Sequence, residues 1–412
     1  MTSRFLAGHD GRPTATSAEH TRGSNQSGMR AHNERLVLTL IRQHGPLAKA
    51  EISRMTGLSA QTISVIMRAL EAEGLLIKGA PVRGKVGQPS VPLGLNPQGA
   101  YFLGLHVERR SIALCLTDFT GAVIQRRQAR YDYPTPDGVI AFANDAITDV
   151  LDGLDRGQRA RVAGLGIAIP FQLQDWAEPL GVAPEKMADW AHREIDAELA
   201  AHWDMPVYLR NDASAACGAE LVFGDQTRPR DFLYIFIGFF IGAGMVLDDA
   251  LYTGLSGNAA ALGSLPVGAS MQLVDVASLA TLDRMRRDAG GQGGLPWDQP
   301  EDWDISPDIL DDWIDGAAEG IARAITMTCC VIDFDTVLID GQMAQQVRTR
   351  LVQEVTDRIK RHPLAGITSP QIRPGTVGPQ APALGAASLP LSDRFLVDRS
   401  AAQSAKPTGD LG

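Results

Sequence analysis

The sequence is poor in cysteine and contains no long uninterrupted apolar run. Only four cysteines occur among 412 residues, Cys115, Cys217, Cys329 and Cys330, and none lies in a CxxC or Cys/His cluster. This spacing predicts neither a disulfide framework nor a zinc site, and it favours buried, reduced thiols. The longest apolar stretch, residues 232–247, is broken by glycines and is too short to span a bilayer. Because no signal peptide is apparent either, we expect a cytoplasmic protein.

Basic residues are fewer than acidic residues over the whole chain, but they outnumber acidic residues at its start. There are 38 Lys and Arg against 48 Asp and Glu, which gives a net charge of −10. Residues 1–100 nevertheless hold 12 basic and 6 acidic residues, whereas the remainder holds 26 and 42. This asymmetry predicts a head that faces DNA and a larger body that does not.

Residues 48–74 predict a helix, a tight turn and a second helix. The first helix has an apolar side formed by Ile52 and Met55, and Gly57 can take the positive φ that ends it. Ser59 is a suitable N-cap for the second helix. An ordinary helical hairpin is the alternative to a DNA-reading motif.

The second helix of this motif separates apolar from polar side chains. At about 100° per residue, the apolar face holds Ile63, Ile66 and Leu70, and the opposite face holds Gln61, Ser64, Val65 and Arg68. Side chains of the second set reach base edges and phosphates. The pattern is therefore typical of a helix-turn-helix recognition helix.

The flanking segments favour DNA binding over the plain hairpin. Residues 32–44 supply a preceding helix, and two strands, 75–77 and 91–95, are joined by the basic, glycine-rich turn 83–89. Three helices and a basic β-hairpin predict a winged helix-turn-helix domain over residues 29–97. The predicted DNA contacts are Ser59, Gln61, Thr62, Ser64 and Arg68 on the recognition helix, and Arg83, Lys85 and Gln88 on the wing.

The rest of the chain predicts an α/β body made of two similar units. In each unit three meander strands precede helices and further strands, and the second unit includes one helix predicted over residues 275–288. Two such lobes enclose a ligand cleft. The predicted divisions are a disordered arm (1–28), the DNA-binding domain (29–97), lobe 1 (98–225), lobe 2 (226–382), a C-terminal helix returning to lobe 1 (383–397) and a tail (398–412).

Several motifs give the chain a resemblance to the ROK family of repressors and sugar kinases. They are GLSAQTISVIMRALEAEGLL, GKVGQPSVPLGLNP, VYLRNDASAACGAE, FIGFFIGAGMVLDDALYTGLSGNAA and APALGAASLPL. The resemblance implies an actin-like, ribonuclease H-like ATPase fold behind the DNA-binding head. It also implies a transcriptional regulator, a repressor of carbohydrate uptake and metabolism genes, that binds an operator in duplex DNA as a homodimer or homotetramer.

The phosphate-binding loops of the family kinases are altered in this chain. The aspartate, glycines and threonine of the first loop are replaced by His106, Glu108, Arg109 and Arg110, and Phe239 and Phe240 enter the second glycine loop. A phosphate cradle needs closely approaching backbone N–H groups, which glycine permits. We therefore predict no ATP binding and no cofactor. We expect Arg109 and Arg110 to lie on a solvated hairpin face and the two phenylalanines to serve packing.

The family's sugar pocket is half retained. By resemblance, the predicted effector contacts are Asn211, Asp212, Gly257 and Asn258, and the alternative for Asp212 is to cap the helix that follows it. Ala261 stands where the kinases have a sugar-binding Glu, and Ser264 stands where they have a zinc-binding His. Because zinc needs three or four N or S ligands, we predict no metal.

Three hypotheses remain open at this stage. The first is a DNA-binding regulator, not an enzyme, whose body senses a sugar or sugar derivative. The second is a ROK sugar kinase with an appended DNA-binding domain. The third is a repressor that ignores small molecules and keeps a vestigial pocket. None of the three requires a membrane.

Overall fold

The computed structural model describes residues 25–81, 91–225, 227–295, 299–362 and 364–397. Its helices are α1 (Asn25–His44), α2 (Lys49–Thr56), α3 (Ala60–Ala72), α4 (Pro136–Asp152), α5 (Arg156–Arg159), α6 (Ile195–His202), α7 (Asp212–Phe223), α8 (Leu273–Ala277), α9 (Leu279–Asp288), α10 (Pro307–Cys329), α11 (Gln345–Ile359) and α12 (Ala381–Phe395). Its strands are β1 (Leu76–Lys78), β2 (Leu93–Leu95), β3 (Tyr101–Val107), β4 (Ser111–Thr117), β5 (Val123–Arg130), β6 (Val162–Ile169), β7 (Val207–Asn211), β8 (Phe232–Ile237), β9 (Ile241–Leu247), β10 (Ala250–Tyr252), β11 (Thr336–Gly341) and β12 (Gln371–Pro374). None of the described helices combines the length and the apolar character needed to cross a membrane.

Helices α1–α3 and the antiparallel pair β1–β2 form the head, as the sequence predicts. Gly57 ends α2 with a φ of 72°. The Ser59 hydroxyl caps α3 by accepting a hydrogen bond from the backbone N–H of Thr62 at 3.1 Å. In the hairpin, Leu76 lies opposite Leu95.

Two details of the predicted head are wrong. Helix α1 begins at Asn25, inside the arm that was expected to be disordered, and an ion pair between Arg30 and Glu34 one turn apart supports its early turns. Met55 does not contribute to the buried side of α2, because 42% of its surface is exposed and Ile52 alone fills that side of the short helix. The remainder of the arm and the tail lie outside the described residues.

Each lobe of the body is a five-stranded mixed sheet with the same topology. The described strands of lobe 1 follow the order β5-β4-β3-β6-β7, and those of lobe 2 follow β10-β9-β8-β11-β12. In both sheets the three meander strands are antiparallel and the other two strands join in parallel. The predicted two-lobed α/β body is therefore confirmed.

The helix predicted over residues 275–288 is wrong, because the chain leaves the helical conformation at Ser278. This residue has an extended backbone (φ −80°, ψ 153°) that separates α8 from α9. Its hydroxyl accepts a hydrogen bond from the buried N–H of Ile241 at 3.0 Å, and its carbonyl accepts one from the Trp313 indole at 3.1 Å. These two hydrogen bonds satisfy the buried Ile241 N–H and the Trp313 indole, and they stabilise the fold more than one continuous helix would.

Helix α12 returns from lobe 2 and ties lobe 1 to the head. Small residues allow it to lie directly on the sheet: a Cβ added to Gly166 would lie 1.8 Å from the Ala386 carbonyl oxygen. Its far end, with Leu391 and Phe395, belongs to the same apolar cluster as Ile41 of the head. The head and lobe 1 thus share one core, so their relative position is set by packing.

Candidate functional site

The outward face of α3 is the first candidate site. Its inner face is buried in the head core through Ile63, Ile66, Met67 and Leu70. That burial fixes the rotation of the helix about its axis. The side chains predicted to read bases, Gln61, Thr62, Ser64 and Arg68, are exposed or half-buried.

Two basic side chains lie at this face. Arg68 is exposed and donates from Nε to the Ser64 carbonyl oxygen at 3.0 Å. Lys49, the first residue of α2, donates from Nζ to the Ser64 hydroxyl at 3.2 Å. Lys49 is missing from the predicted contacts, because its approach to Ser64 depends on how α2 and α3 cross and not on spacing within one helix. The predicted wing contacts Arg83, Lys85 and Gln88 lie outside the described residues.

The junction between β7 and α7, at the cleft between the lobes, is the second candidate site. Asn211 caps α7, since its Oδ1 accepts hydrogen bonds from the backbone N–H groups of Ala213 and Ser214, each at 3.1 Å. The alternative in which Asp212 is the cap is therefore wrong. Asp212 is the first helical residue, and its Oδ1 accepts only from the adjacent Ala213 N–H, at 2.9 Å.

Arg109 occupies the space beside the Asp212 carboxylate. Its guanidinium forms an ion pair with Asp212, with Nη1 and Oδ2 3.5 Å apart, and it lies 4.9 Å from the Trp176 ring centre and 4.6 Å from that of Phe240. The side chain is only 9% exposed, so the expected solvated position is wrong for Arg109. The partly buried Asp212 carboxylate and two aromatic faces contact the cation in place of water.

Aromatic packing nearly fills this centre. Phe239 is buried in the core of lobe 1, and its ring lies 4.9 Å from that of Phe240, which confirms the expected packing role. The cavity left at Arg109 and Asp212 is about 30 Å³. One water molecule needs about 10–15 Å³ of cavity volume, so this cavity can hold one or two waters but no sugar.

His106 and Glu108, which precede Arg109, are also buried, and the Glu108 carboxylate is hydrogen-bonded within the turn. Glu108 accepts a hydrogen bond from the Ser111 hydroxyl at 2.8 Å, and the Tyr131 hydroxyl donates to the Ser111 carbonyl oxygen at 2.6 Å. Burial lowers the pKa of His106 and favours its neutral form, against the attraction of Glu108 and Asp212. This stretch is a closed hydrogen-bonded turn.

The other two predicted effector contacts lie in the loop after β10. Gly257 has a φ of 77°, and a Cβ added there would lie 3.1 Å from the ring of Phe171, which follows β6 of lobe 1. Asn258 is half-buried beside it. Neither residue lines the small cavity at Arg109, so the structure does not bring the four predicted effector contacts around one space.

Ala260 in this loop is strained. Its φ is 59°, a left-handed conformation that costs a residue with a Cβ about 1–2 kcal/mol. We predict that Ala260→Gly raises the free energy of unfolding by about 0.5–1 kcal/mol, because relieved strain exceeds the added chain entropy of glycine. Urea unfolding followed by tryptophan fluorescence measures this change. The control is Ala261→Gly at a φ of −67°, which should destabilise, and a loss of stability in Ala260→Gly would contradict the assigned strain.

The head has three helices and a two-stranded hairpin, and it is joined to two lobes that share one topology. This architecture defines a two-lobed α/β protein with a winged helix-turn-helix domain. Two family models match the sequence accordingly. A winged helix-turn-helix DNA-binding model matches residues 30–77, and the ROK family model matches residues 102–277. The chain therefore carries a ROK family domain behind an N-terminal winged helix-turn-helix domain.

Individual relatives agree with this assignment. An uncharacterized protein of Sinorhizobium fredii is 25% identical over 371 residues, which cover 88% of this chain and 91% of that protein. The xylose repressor of Bacillus spizizenii is 25% identical over 244 residues, 59% of this chain but only 62% of the repressor. A crystal structure of a ROK family transcriptional regulator, described as a homolog of the Escherichia coli Mlc protein, shares the fold with a TM-score of 0.63 at 22% identity, over 89% of this chain and 98% of that one.

Proposed function

We propose that this protein is a sequence-specific DNA-binding transcriptional regulator that represses genes of carbohydrate uptake and metabolism. The observation that carries the proposal is the face of α3, where Gln61, Ser64 and Arg68 project from a helix whose opposite side is buried. A recognition helix held in this way inserts into the major groove. Repression and carbohydrate genes are proposed from the xylose repressor among the relatives.

The body acts as a sensor and not as a kinase in this proposal. A phosphoryl-transfer base must be free to accept the sugar proton, whereas the Asp212 carboxylate pairs with Arg109. Phe239 and Phe240 occupy the loop where a nucleotide phosphate would need glycine. Asn211, Asp212, Gly257 and Asn258 stay the predicted contacts of a sugar or sugar-derived effector, which would have to displace Arg109 to enter.

We further propose a cytoplasmic homodimer or homotetramer that binds a near-palindromic operator. Winged-helix readers pair two recognition helices across a two-fold axis, so half-sites one helical turn apart are expected. An effector that binds one arrangement of the two heads better than the other would change operator affinity.

Selection of bound fragments from sheared genomic DNA tests the proposal. We expect enrichment of a few fragments that share a near-palindrome, with an affinity that falls steeply as salt rises from 50 to 200 mM because phosphate contacts release counterions. The control is the variant Ser64→Trp, in which the indole would block the exposed face of α3 that enters the DNA groove. Failure of the wild-type protein to enrich any fragment would contradict DNA-binding regulation.

An ATP-consumption assay over a panel of hexoses and pentoses tests the kinase alternative. We expect no turnover above background. Sustained, sugar-dependent ADP release that is lost in Asp212→Asn would establish the kinase alternative and contradict the proposed loss of ATP use.

A further inference from the structure

A cavity of about 320 Å³ lies where the head meets both lobes, away from the interlobe centre. We refer to it as the junction cavity. Its walls come from α1 of the head, from β7 and α7 of lobe 1, from the β9–β10 hairpin of lobe 2 and from α12. It is continuous with a larger groove under the β1–β2 hairpin, since Arg42, Gln43, Leu221, Val222, Arg228 and Asp249 line both. A ligand in the junction cavity would therefore touch the head, both lobes and α12.

Arg42 of α1 is a cation without a counterion beside this cavity. Its terminal nitrogens donate to the carbonyl oxygens of Phe119 and Thr120, and its guanidinium lies 5.6 Å from the ring centres of Phe119 and Phe223. Among the described residues no carboxylate lies within 4.0 Å of it, and its Nε is buried without an acceptor. Burial lowers the pKa of Arg42 to about 10, and the more distant Asp118 offsets this only in part. A buried cation of this kind is stabilised by an anion placed next to it.

The rest of the lining indicates what such an anion would look like. Arg228 and Asp249 form an ion pair at 3.0 Å, and the Asp393 carboxylate accepts a hydrogen bond from the Tyr208 hydroxyl. With Arg42 and Arg210 the lining holds three arginines against two aspartates, so its net charge is positive. Hydroxyl groups and short aliphatic side chains make up much of the remaining wall: Thr39, Tyr208, Thr253, Ser388, Ser392, Leu221, Val222, Leu251 and Leu389. A volume of about 320 Å³ lies at the small end of ligand pockets and suits a compact metabolite.

We propose that the junction cavity binds a small polyhydroxylated organic anion, a sugar acid or a sugar phosphate, whose charged group pairs with Arg42. The hydroxyl-bearing wall receives the polyol. Occupancy bears on the head directly, because Arg42 belongs to α1 and the backbone N–H of Val397, after α12, donates to the Thr39 hydroxyl of the same helix at 3.1 Å. This site is separate from the predicted effector contacts around Asp212.

Gly218 of α7 provides a clean way to close the cavity. It lines the junction cavity, and a Cβ added there would have Leu251 and Ser388 as nearest neighbours, at 3.8 and 3.9 Å, which is ordinary contact. Gly218→Leu therefore fills the space without removing a charge, and leucine also favours the helix over glycine. Gly218→Ala is the matched control, since it adds the Cβ alone.

Isothermal titration calorimetry of the full-length protein without DNA tests the site. The probes are gluconate and glucose 6-phosphate, which distinguish the carboxylate from the phosphate ester, with glucose as the uncharged control. We expect one charged probe to bind the wild type and Gly218→Ala within about twofold of each other, and to bind Gly218→Leu and Arg42→Met at least tenfold more weakly. Glucose, the uncharged control, should not compete.

Two results would overturn the junction site: no binding of either charged probe, or undiminished binding to Gly218→Leu. Because these titrations contain no DNA, their outcome is independent of the proposed regulatory function. A second arm rests on that function: the probe that binds should change the operator affinity of the wild type but not that of Gly218→Leu.

Discussion

We expect that replacing both Gln61 and Arg68 by alanine lowers operator affinity by about two orders of magnitude or more. Each side chain projects from the exposed face of α3, while the buried face keeps the helix in position. Loss of a base contact costs about 1–3 kcal/mol, and the two contacts lie on separate turns, so their effects should add. Fluorescence anisotropy with an operator recovered from the genomic selection measures the change.

The matched control removes the same two residue types from the body. Arg350→Ala with Gln353→Ala alters exposed positions of α11 and should leave operator affinity within about twofold of the wild type. The α3 variant should also unfold at an unchanged urea concentration, because neither side chain is buried. Equal affinity of the α3 variant and the wild type would remove this face of α3 from the DNA interface.

Much of the fold was predictable because its determinants are local. The periodicity of Ile63, Ile66 and Leu70 and the turn residues Gly57 and Ser59 act within a few positions of the chain. Short apolar runs, with a turn at residues 118–121, likewise indicated the meander strands of both lobes. The split between α8 and α9 was not predictable, because Ser278 breaks the helix to satisfy Ile241 and Trp313, which are distant in sequence.

The candidate sites were predictable only in part, for the same reason. The altered glycine loops were visible in the sequence, and they predict the loss of a phosphate cradle. The burial of Arg109 was not visible, since it depends on Asp212, Trp176 and Phe240 meeting from separate segments. An arginine in a turn is usually solvated, and only the assembled cleft shows that this one is buried beside a carboxylate and two aromatic rings.

The second large effect is expected at the pair formed by Arg109 and Asp212. Asp212→Ala should lower the free energy of unfolding by about 3–5 kcal/mol, because it leaves the Arg109 cation buried without a carboxylate. The pair is 9% and 18% exposed, so solvent screens it little. Arg109→Met with Asp212→Ala should recover most of the loss, since two apolar side chains can replace a buried ion pair. Urea unfolding followed by tryptophan fluorescence, to which Trp176 beside Arg109 contributes, measures each variant.

A surface pair of the same chemistry shows whether burial is the cause. Arg350 Nη1 and Asp311 Oδ1 lie 2.6 Å apart, but the two side chains are 45% and 54% exposed. Asp311→Ala should therefore lower the free energy of unfolding by no more than about 1 kcal/mol. A similar loss in Asp311→Ala and Asp212→Ala would mean that burial of the Arg109–Asp212 pair is not the cause of the loss. If instead Asp311→Ala costs little and the double variant restores stability, the loss in Asp212→Ala arises from the buried Arg109 cation that is left without its carboxylate.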